Sequence, residues 1–514
     1  MLHWRLPGSW LVAAILLVAA VVGCAVNPVT GRHELTLVSE QEEIAIGRKN
    51  YQPGQQQSGG QYILDQALTA YVQGIGAKLA AVSDRPQLPY EFVVLNESVP
   101  NAWAMPGGKI AINRGLLIEL ENEAELAAVM AHEIVHAAGR HGARGMENNL
   151  LVGLGATVVA AAVSNDRNSR IVDTVAGIGA GLLGMKYGRD LELEADHYGM
   201  RYMQRAGYDP VAAVTLQEKF LKLANSKQPN WLAGLFASHP PSQERVEANR
   251  KAAQAMPGRY VLGREDYQTK VATLMRTRDA YKRFDEGEKA LAKGEADKAL
   301  GLAEEAIKGE PREALFYGLR GEAKSKLGRH AEAEADYGEA IARNPEFYEF
   351  YLGRGKERRR RGDSTGALAD FTQANRLLPT AQAHLAAGQL RLQGGQRDEA
   401  AKHFEAAASA RSEEGRQAGN ALARLTLPDN PSRFLTAGIE RQGNQLLVVV
   451  SNRAGVAAGR VVVDVANSAR GSVRVALPRV DAGGTGRALL PWTVIDVPQG
   501  ARVEARVVAA SVAD

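Results

Sequence analysis

From Glu121 the chain runs ENEAELAAVM, good helix formers behind an acidic opening, and this predicts a helix that carries on through MAHEIVHAAGRH, residues 130–141. RDLELEADHYGM, from Arg189, predicts a second helix. Between Asn101 and Leu117 the text is NAWAMPGGKIAINRGLL: a turn over residues 104–108, then KIAIN, where apolar and polar residues alternate as on an edge strand. Two apolar stretches separate the predicted helices, LLVGLGATVVAAAV from Leu150 and IVDTVAGIGAGLLGM from Ile171. Each is shorter than the ~20 residues that span a bilayer, and the second contains Asp173. They are expected to be buried or cleft-lining helices.

From about Asp279 the pattern becomes alanine-rich and helical, with a repeat. Pro311, Pro345 and Pro379 are spaced by 34, and so are Gly294, Gly328 and Gly362. Helix-ending prolines and turn glycines that keep one period of 34 indicate tetratricopeptide repeats, with a degenerate fourth unit through GGQRDEAAKHFEAAASA. LTLPDNPSRF closes this region. Beyond it LLVVVSN, GRVVVDVAN, GSVRVALPRV and ARVEARVVAA are short β-like runs between turns, which suggests a small all-β sandwich from about residue 434.

At 514 residues the chain exceeds one domain, and 45% hydrophobic with 23% charged residues is an ordinary globular composition. A net charge of +4 gives no nucleic-acid footprint, and KERRRR, residues 356–361, is expected to be a solvated helix end. Arg5 precedes an apolar run from Trp10 to Val22 that ends at VVGC, a small-residue cleavage site before the sole cysteine, Cys24. This arrangement resembles a bacterial lipoprotein signal, in which Cys24 becomes the lipidated first residue. Ala25 after it favours the outer membrane, and the body of the chain is placed in the periplasm.

The chemistry lies in HEIVH. His132 and His136, four apart, share a helix face one turn from each other, the spacing of two zinc ligands. Glu133 is placed to reach a water on the metal and is expected to be the general base. A catalytic zinc site takes three protein groups. His141 does not supply the third by the HExxHxxGxxH pattern: Gly139 fits its glycine place, but the final position is Gly142. His141 is instead assigned to the surface or a supporting place beside Arg140 and Arg144. A glutamate from a later helix is the other solution. Glu192 and Asp196, four apart, share a face, whereas Glu194 points away from it. Glu192 is expected to ligate and Asp196 to orient a ligand imidazole.

HEIVHAAGRH followed by ELEAD, with NAWAMPGGKIAINRGLL upstream and SHPPSQERVE downstream, resembles the gluzincin metallopeptidases that include HtpX, the CAAX prenyl endopeptidases and, in layout, the BepA-type periplasmic peptidase-chaperones. The resemblance covers roughly residues 30–265 and the repeats. It implies one Zn2+ per chain on His132, His136 and Glu192, with Glu133 as base. It also singles out His239 in SHPP, which either stabilises the transition state or occludes the metal as an extra ligand. An edge strand beside the metal can pair with an extended peptide; the resemblance implies this for the segment holding Asn101, Ala102, Lys109, Ile110 and Ala111.

The expected architecture is multidomain and mainly α: a lipoprotein signal (1–23), a gluzincin-type α+β metallopeptidase domain (24–265), an α-solenoid of tetratricopeptide repeats (277–425) and a β-sandwich-like domain (434–514). The expected function is a zinc endopeptidase of the cell envelope that degrades misfolded or misassembled periplasmic and outer-membrane proteins. The alternatives are a periplasmic chaperone or assembly factor with a latent or structural zinc site, and a tethered adaptor. Expected partners are unfolded or misassembled envelope proteins, outer-membrane assembly machinery through the repeats, and the membrane through lipid on Cys24, with no nucleic acid.

Overall fold

The computed structural model describes residues 23–148, 186–225, 233–494, 497 and 502–513. The leader before Gly23 and the apolar stretches from Leu150 and Ile171 lie outside the described residues. The chain divides into two compact units, 1–323 with 339–347, and 324–338 with 348–514.

The first unit opens with an antiparallel hairpin, β1 (Gly23–Val26) and β2 (His33–Thr36), in which Cys24 pairs with Leu35. Asn27 builds its turn by accepting from the backbone N–H groups of Val29 and Thr30. Helix α1 (Glu40–Gln57) starts at a capping box between Ser39 and Glu42, and α2 (Gln66–Ala80) at the Asp65 side chain.

A three-stranded sheet follows: β3 (Glu91–Leu95), β4 (Ala102–Met105) and β5 (Lys109–Asn113), in the order β3-β5-β4. Strands β3 and β5 are parallel, β4 and β5 antiparallel. KIAIN is therefore the central strand, not an edge, and its backbone is paired on both sides. Its alternation misleads because Lys109 is buried, with Nζ bonded to the Pro89 carbonyl (2.8 Å) and to Glu91 (2.5 Å). Among the described residues the free edge on this side is β4, so Lys109, Ile110 and Ala111 cannot receive a peptide through their backbone.

A short helix α3 (Arg114–Leu117) leads to α4 (Glu123–Ala138), which begins where the Asn122 side chain accepts from Glu125 N–H. All but its first residue are buried, so α4 is the axis of the domain. It ends at Gly139 and Arg140, the latter left-handed at φ 60°, and residues 141–148 are helical again. Helices α5 (Arg189–Arg205), α6 (Val211–Ala224), α7 (Ala233–Ser238) and α8 (Gln243–Gln254) complete the domain around α4. Among the described residues no helix is long and apolar enough to cross a membrane.

Helix α9 (Arg264–Lys270) leads into the repeats: α10 (Ala272–Ala292), α11 (Ala296–Gly309), α12 (Ala314–Lys326), α13 (His330–Arg343), α14 (Tyr348–Arg360), α15 (Ser364–Leu377), α16 (Ala381–Gln393) and α17 (Arg397–Ala408), with α18 (Glu413–Thr426) behind them. The periodic glycines close the first helix of each pair. Gly294, Gly328 and Gly362 stand at φ 80°, 77° and 85°, left-handed positions where a side chain would be strained. Arginines of KERRRR pair with carboxylates: Arg358 with Asp370 (3.0 Å) and Arg361 with Glu334.

In the second unit, β6 (Leu435–Gln442), β7 (Gln445–Asn452) and β10 (Thr485–Thr493) form one antiparallel sheet, and β8 (Ala458–Asn467), β9 (Gly471–Val480) and β11 (Val503–Val512) another. Val448, Val450, Val461, Val463, Val465 and Leu477 fill the core of this sandwich. Strands β6 and β10 escape the sequence pattern because few of their side chains are buried.

Candidate active site

Helix α4 presents His132 and His136 on one face, and α5 brings Glu192 and Asp196 against it. Their close approach depends on Gly199, where a Cβ would stand 3.2 Å from the backbone nitrogen of His132. The loop after α7 adds His239. One nitrogen or oxygen each from His132, His136, Glu192 and His239 lie within 4.8 Å of one another.

The two ring Nε2 atoms of His132 and His136 are 3.0 Å apart. Glu192 faces both, with Oε2 3.5 Å from His132 and Oε1 3.4 Å from His136. Nδ1 of His239 stands 3.2 Å from Nε2 of His132 and 3.1 Å from Oε1 of Glu192. Glu133 lies beside this group, Oε1 3.5 Å from Nε2 of His239, while its buried Oε2 has no hydrogen-bond partner among the described residues.

Asp196 accepts from Nδ1 of His132 at 2.8 Å, which turns Nε2 of that ring into the cluster. Arg245, on α8 and almost fully buried, holds both oxygens of Asp196 at 2.7 Å and reaches Oε2 of Glu192 at 2.9 Å. Asn249 adds a weaker bond to Asp196 at 3.3 Å.

The electrostatics favour positive charge. Burial opposes protonation of His132, yet the Glu192 and Asp196 carboxylates outweigh it and push its pKa up to about 10. Burial likewise opposes ionisation of Glu192, but His132 and its neighbours hold it well below the usual carboxylate range. Asp196 is held down by Arg245 against the same burial. Glu133 goes the other way: burial raises it, with the His239 charge pulling back.

These residues fit a metal ion. Two nitrogens at ~2.0–2.1 Å from a tetrahedral centre stand roughly 3.3 Å apart, close to the 3.0 Å between the two rings. Two imidazole nitrogens and a carboxylate that converge in a buried pocket are the donor set that a catalytic zinc ion takes.

Of the expected site residues, the structure brings together His132, Glu133, His136, Glu192, Asp196 and His239. Ala102, on the free edge strand β4, lines a cavity with Val129, His132, Glu133, Met203 and Leu216. Asn101 precedes β4, and its carbonyl accepts from Asn113 N–H. Lys109, Ile110 and Ala111 lie behind β4 in the centre of the sheet. Sequence reasoning missed Arg245, whose position after SHPP carries no periodic signal, and of the two places it left open for His141, surface or supporting, the structure gives the supporting one. That residue is 0% exposed, with its ring 2.8 Å from Nδ1 of His136 and 3.0 Å from Glu194.

A helix that carries HExxH and meets a glutamate from a second helix is the residue set of a gluzincin-type metallopeptidase. The comparisons agree: residues 66–253 match Peptidase family M48, and 284–346, 319–382 and 352–421 match the tetratricopeptide repeat, so the chain carries an M48 domain followed by such repeats. It is similar to the beta-barrel assembly-enhancing protease of Escherichia coli (strain K12), 32% identical over 243 residues, 45% of this chain and 48% of that protein. It is also similar to the mitochondrial metalloendopeptidase OMA1 of Arabidopsis thaliana, 34% identical over 166 residues, 32% of each chain. OMA1 of Schizosaccharomyces pombe is 32% identical over 232 residues, 45% of this chain and 66% of that protein. The chain spans about half the length of the first of these relatives.

Proposed function

We propose that the chain is a zinc-dependent endopeptidase of the bacterial cell envelope, acting on misfolded or misassembled periplasmic and outer-membrane proteins. The observation that carries this reading is Glu133, a buried carboxylate with one oxygen unpartnered among the described residues, beside three converging ligand side chains. His132, His136 and Glu192 would hold one zinc ion per chain. Bound there, zinc supplies Lewis acidity that activates water and polarises the scissile carbonyl.

Glu133 accepts the proton of the attacking water through its free oxygen and later gives it to the leaving amine, so the carboxylate is restored as the C–N bond breaks. Its raised pKa makes it a better proton acceptor than an exposed glutamate. Asp196 and Arg245 keep the His132 ring in place through the cycle. The free edge of β4, with Asn101 and Ala102, is where an extended peptide would add as a strand. The repeats would bring client proteins or outer-membrane assembly components, and Cys24 would carry the lipid that ties the chain to the outer membrane. The similarity to a beta-barrel assembly-enhancing protease supports this placing.

The experiment is Glu133→Gln in the full chain with a denatured outer-membrane protein as substrate. Zinc content should be kept and cleavage lost; unchanged turnover would refute the proposal.

A second reading is a chaperone whose zinc site rests in a latent state. It is favoured by His239, which stands within 3.2 Å of both His132 and Glu192, where a fourth ligand would close the site. Rescue of a null strain by Glu133→Gln would support this reading against the first.

A further inference from the structure

His136 turns its two ring nitrogens to different partners. Nε2 faces Nε2 of His132 (3.0 Å) and Oε1 of Glu192 (3.4 Å), while Nδ1 faces Nδ1 of His141 at 2.8 Å. Between two imidazole nitrogens at that distance, one donates and the other accepts. The far side of His141 decides which. Its Nε2 is 3.0 Å from Oε1 of Glu194, and a carboxylate can only accept, so that nitrogen carries the proton. Nδ1 of His141 is then the bare acceptor, Nδ1 of His136 carries its hydrogen, and Nε2 of His136 is left with a lone pair directed into the cluster.

The surroundings are built around this arrangement. A Cβ at Gly139 would stand 2.7 Å from Nε2 of His141 and 3.0 Å from the Val135 carbonyl, so the glycine leaves the space in which the His141 ring lies. Arg140 takes the left-handed conformation that returns the chain beneath His136, and its guanidinium bonds Glu43 (3.1 Å) and Thr36 (3.2 Å). Asn27 donates to the Gly139 carbonyl at 3.1 Å. Tyr187 stacks on the His136 ring, centroids 3.9 Å apart and planes 16° from parallel.

We propose that His141 and Glu194 are positioning residues: a Glu194–His141–His136 relay locks His136 in the tautomer whose Nε2 can ligate. It rests on the zinc-site reading above. The two imidazoles of the HExxH helix are thus held by different devices, His132 by a carboxylate directly and His136 by a carboxylate acting through a neutral imidazole. The second leaves the metal pocket one negative charge poorer than a second aspartate would.

The test uses the full chain, with zinc affinity measured by chelator competition and the His136 tautomer read from ring-15N chemical shifts in zinc-free protein labelled at histidine. His141→Leu should weaken zinc binding by about 10–100-fold, the usual effect of removing a group that orients a ligand, and should move the His136 proton off Nδ1. Glu194→Leu, partly exposed and so tolerant of change, should do the same in lesser degree, whereas Glu194→Gln, which keeps an acceptor, should stay near the parent in both measurements. Parental zinc affinity and parental 15N shifts in both leucine variants would overturn the relay. So would a loss of affinity that follows a fall in melting temperature while the His136 shifts stay fixed. Should the parent bind no zinc, the metal reading fails, and the shifts of the zinc-free protein still decide for or against the relay.

Discussion

The guanidinium of Arg245 meets Asp196 at both oxygens, 2.7 Å from each, and the same carboxylate takes Nδ1 of His132 at 2.8 Å. A third nitrogen of Arg245 reaches Glu192 at 2.9 Å. One arginine therefore braces both a ligand carboxylate and the group that orients a ligand imidazole. Removal of one partner of a buried pair leaves the other charge unmatched, at a cost of about 3–5 kcal/mol. Arg245→Met should lose stability on that scale in urea unfolding and weaken zinc by at least about tenfold. Arg245→Lys should recover little, because an ammonium cannot bridge both oxygens. A loss below about 1 kcal/mol in both variants would show that the pair does not hold the site.

His239 offers a fourth donor to a site that needs three. If its Nδ1 joins His132, His136 and Glu192 on the metal at rest, His239→Ala should release zinc to a chelator faster, by about tenfold or more. The measurement is the rate of zinc capture by a coloured chelator from the loaded full chain. An unchanged rate would place His239 off the metal and leave it the role of steadying charge beside Glu133.

The ligand set was legible because helical periodicity states it directly: residues four apart share a face, so His132 pairs with His136 and Glu192 with Asp196. His141 was not, since five residues rotate a helix well past the shared face. Only the left-handed Arg140, held by Glu43 and Thr36 from a distant part of the chain, returns its ring beneath His136. Glu194 does point away from the face of Glu192, as its spacing implies, and that is why it reaches His141 instead. KIAIN failed for another reason: an alternating pattern states which side chains differ, not whether another strand pairs beyond them. The repeats were legible twice over, because left-handed glycines and helix-ending prolines answer to separate backbone constraints that share one period.

Arg114 joins the peptidase domain to the first repeat. Its Nε donates to Asn96 at 2.8 Å, its Nη2 to Ser98 at 2.5 Å, and its guanidinium lies 3.3 Å from the ring centroid of Tyr281 on α10. Asn96 and Ser98 in turn bond Glu313 (3.1 Å) and Asp285 (2.6 Å) of the repeats. Arg114→Ala strips a buried cation from this junction and should cost about 2–4 kcal/mol. Limited proteolysis should then cut between residues 255 and 275 faster than in the parent. Equal digestion rates would mean that the apolar contacts alone hold the junction.

Glu133 should be destabilising where it stands. Burial raises its pKa, so the folded chain resists its ionisation more than the unfolded chain does. Below the pKa of an ordinary glutamate the carboxyl is neutral in both states and costs nothing. As pH rises past that value the unfolded chain ionises first, and stability is lost until the folded carboxyl ionises too. In zinc-free protein, Glu133→Gln should therefore be more stable than the parent at pH 7, by on the order of 1 kcal/mol, with the advantage gone near pH 4. Cleavage by the zinc-loaded parent should fall on the acid side as Glu133 takes up a proton, because the base must be ionised to accept one. Urea unfolding of both proteins at the two pH values tests the first statement, and a pH profile of kcat/KM the second. A Glu133→Gln variant less stable than the parent at pH 7 would mean that the carboxylate is satisfied in the fold, and the case for a strained base would fail with it.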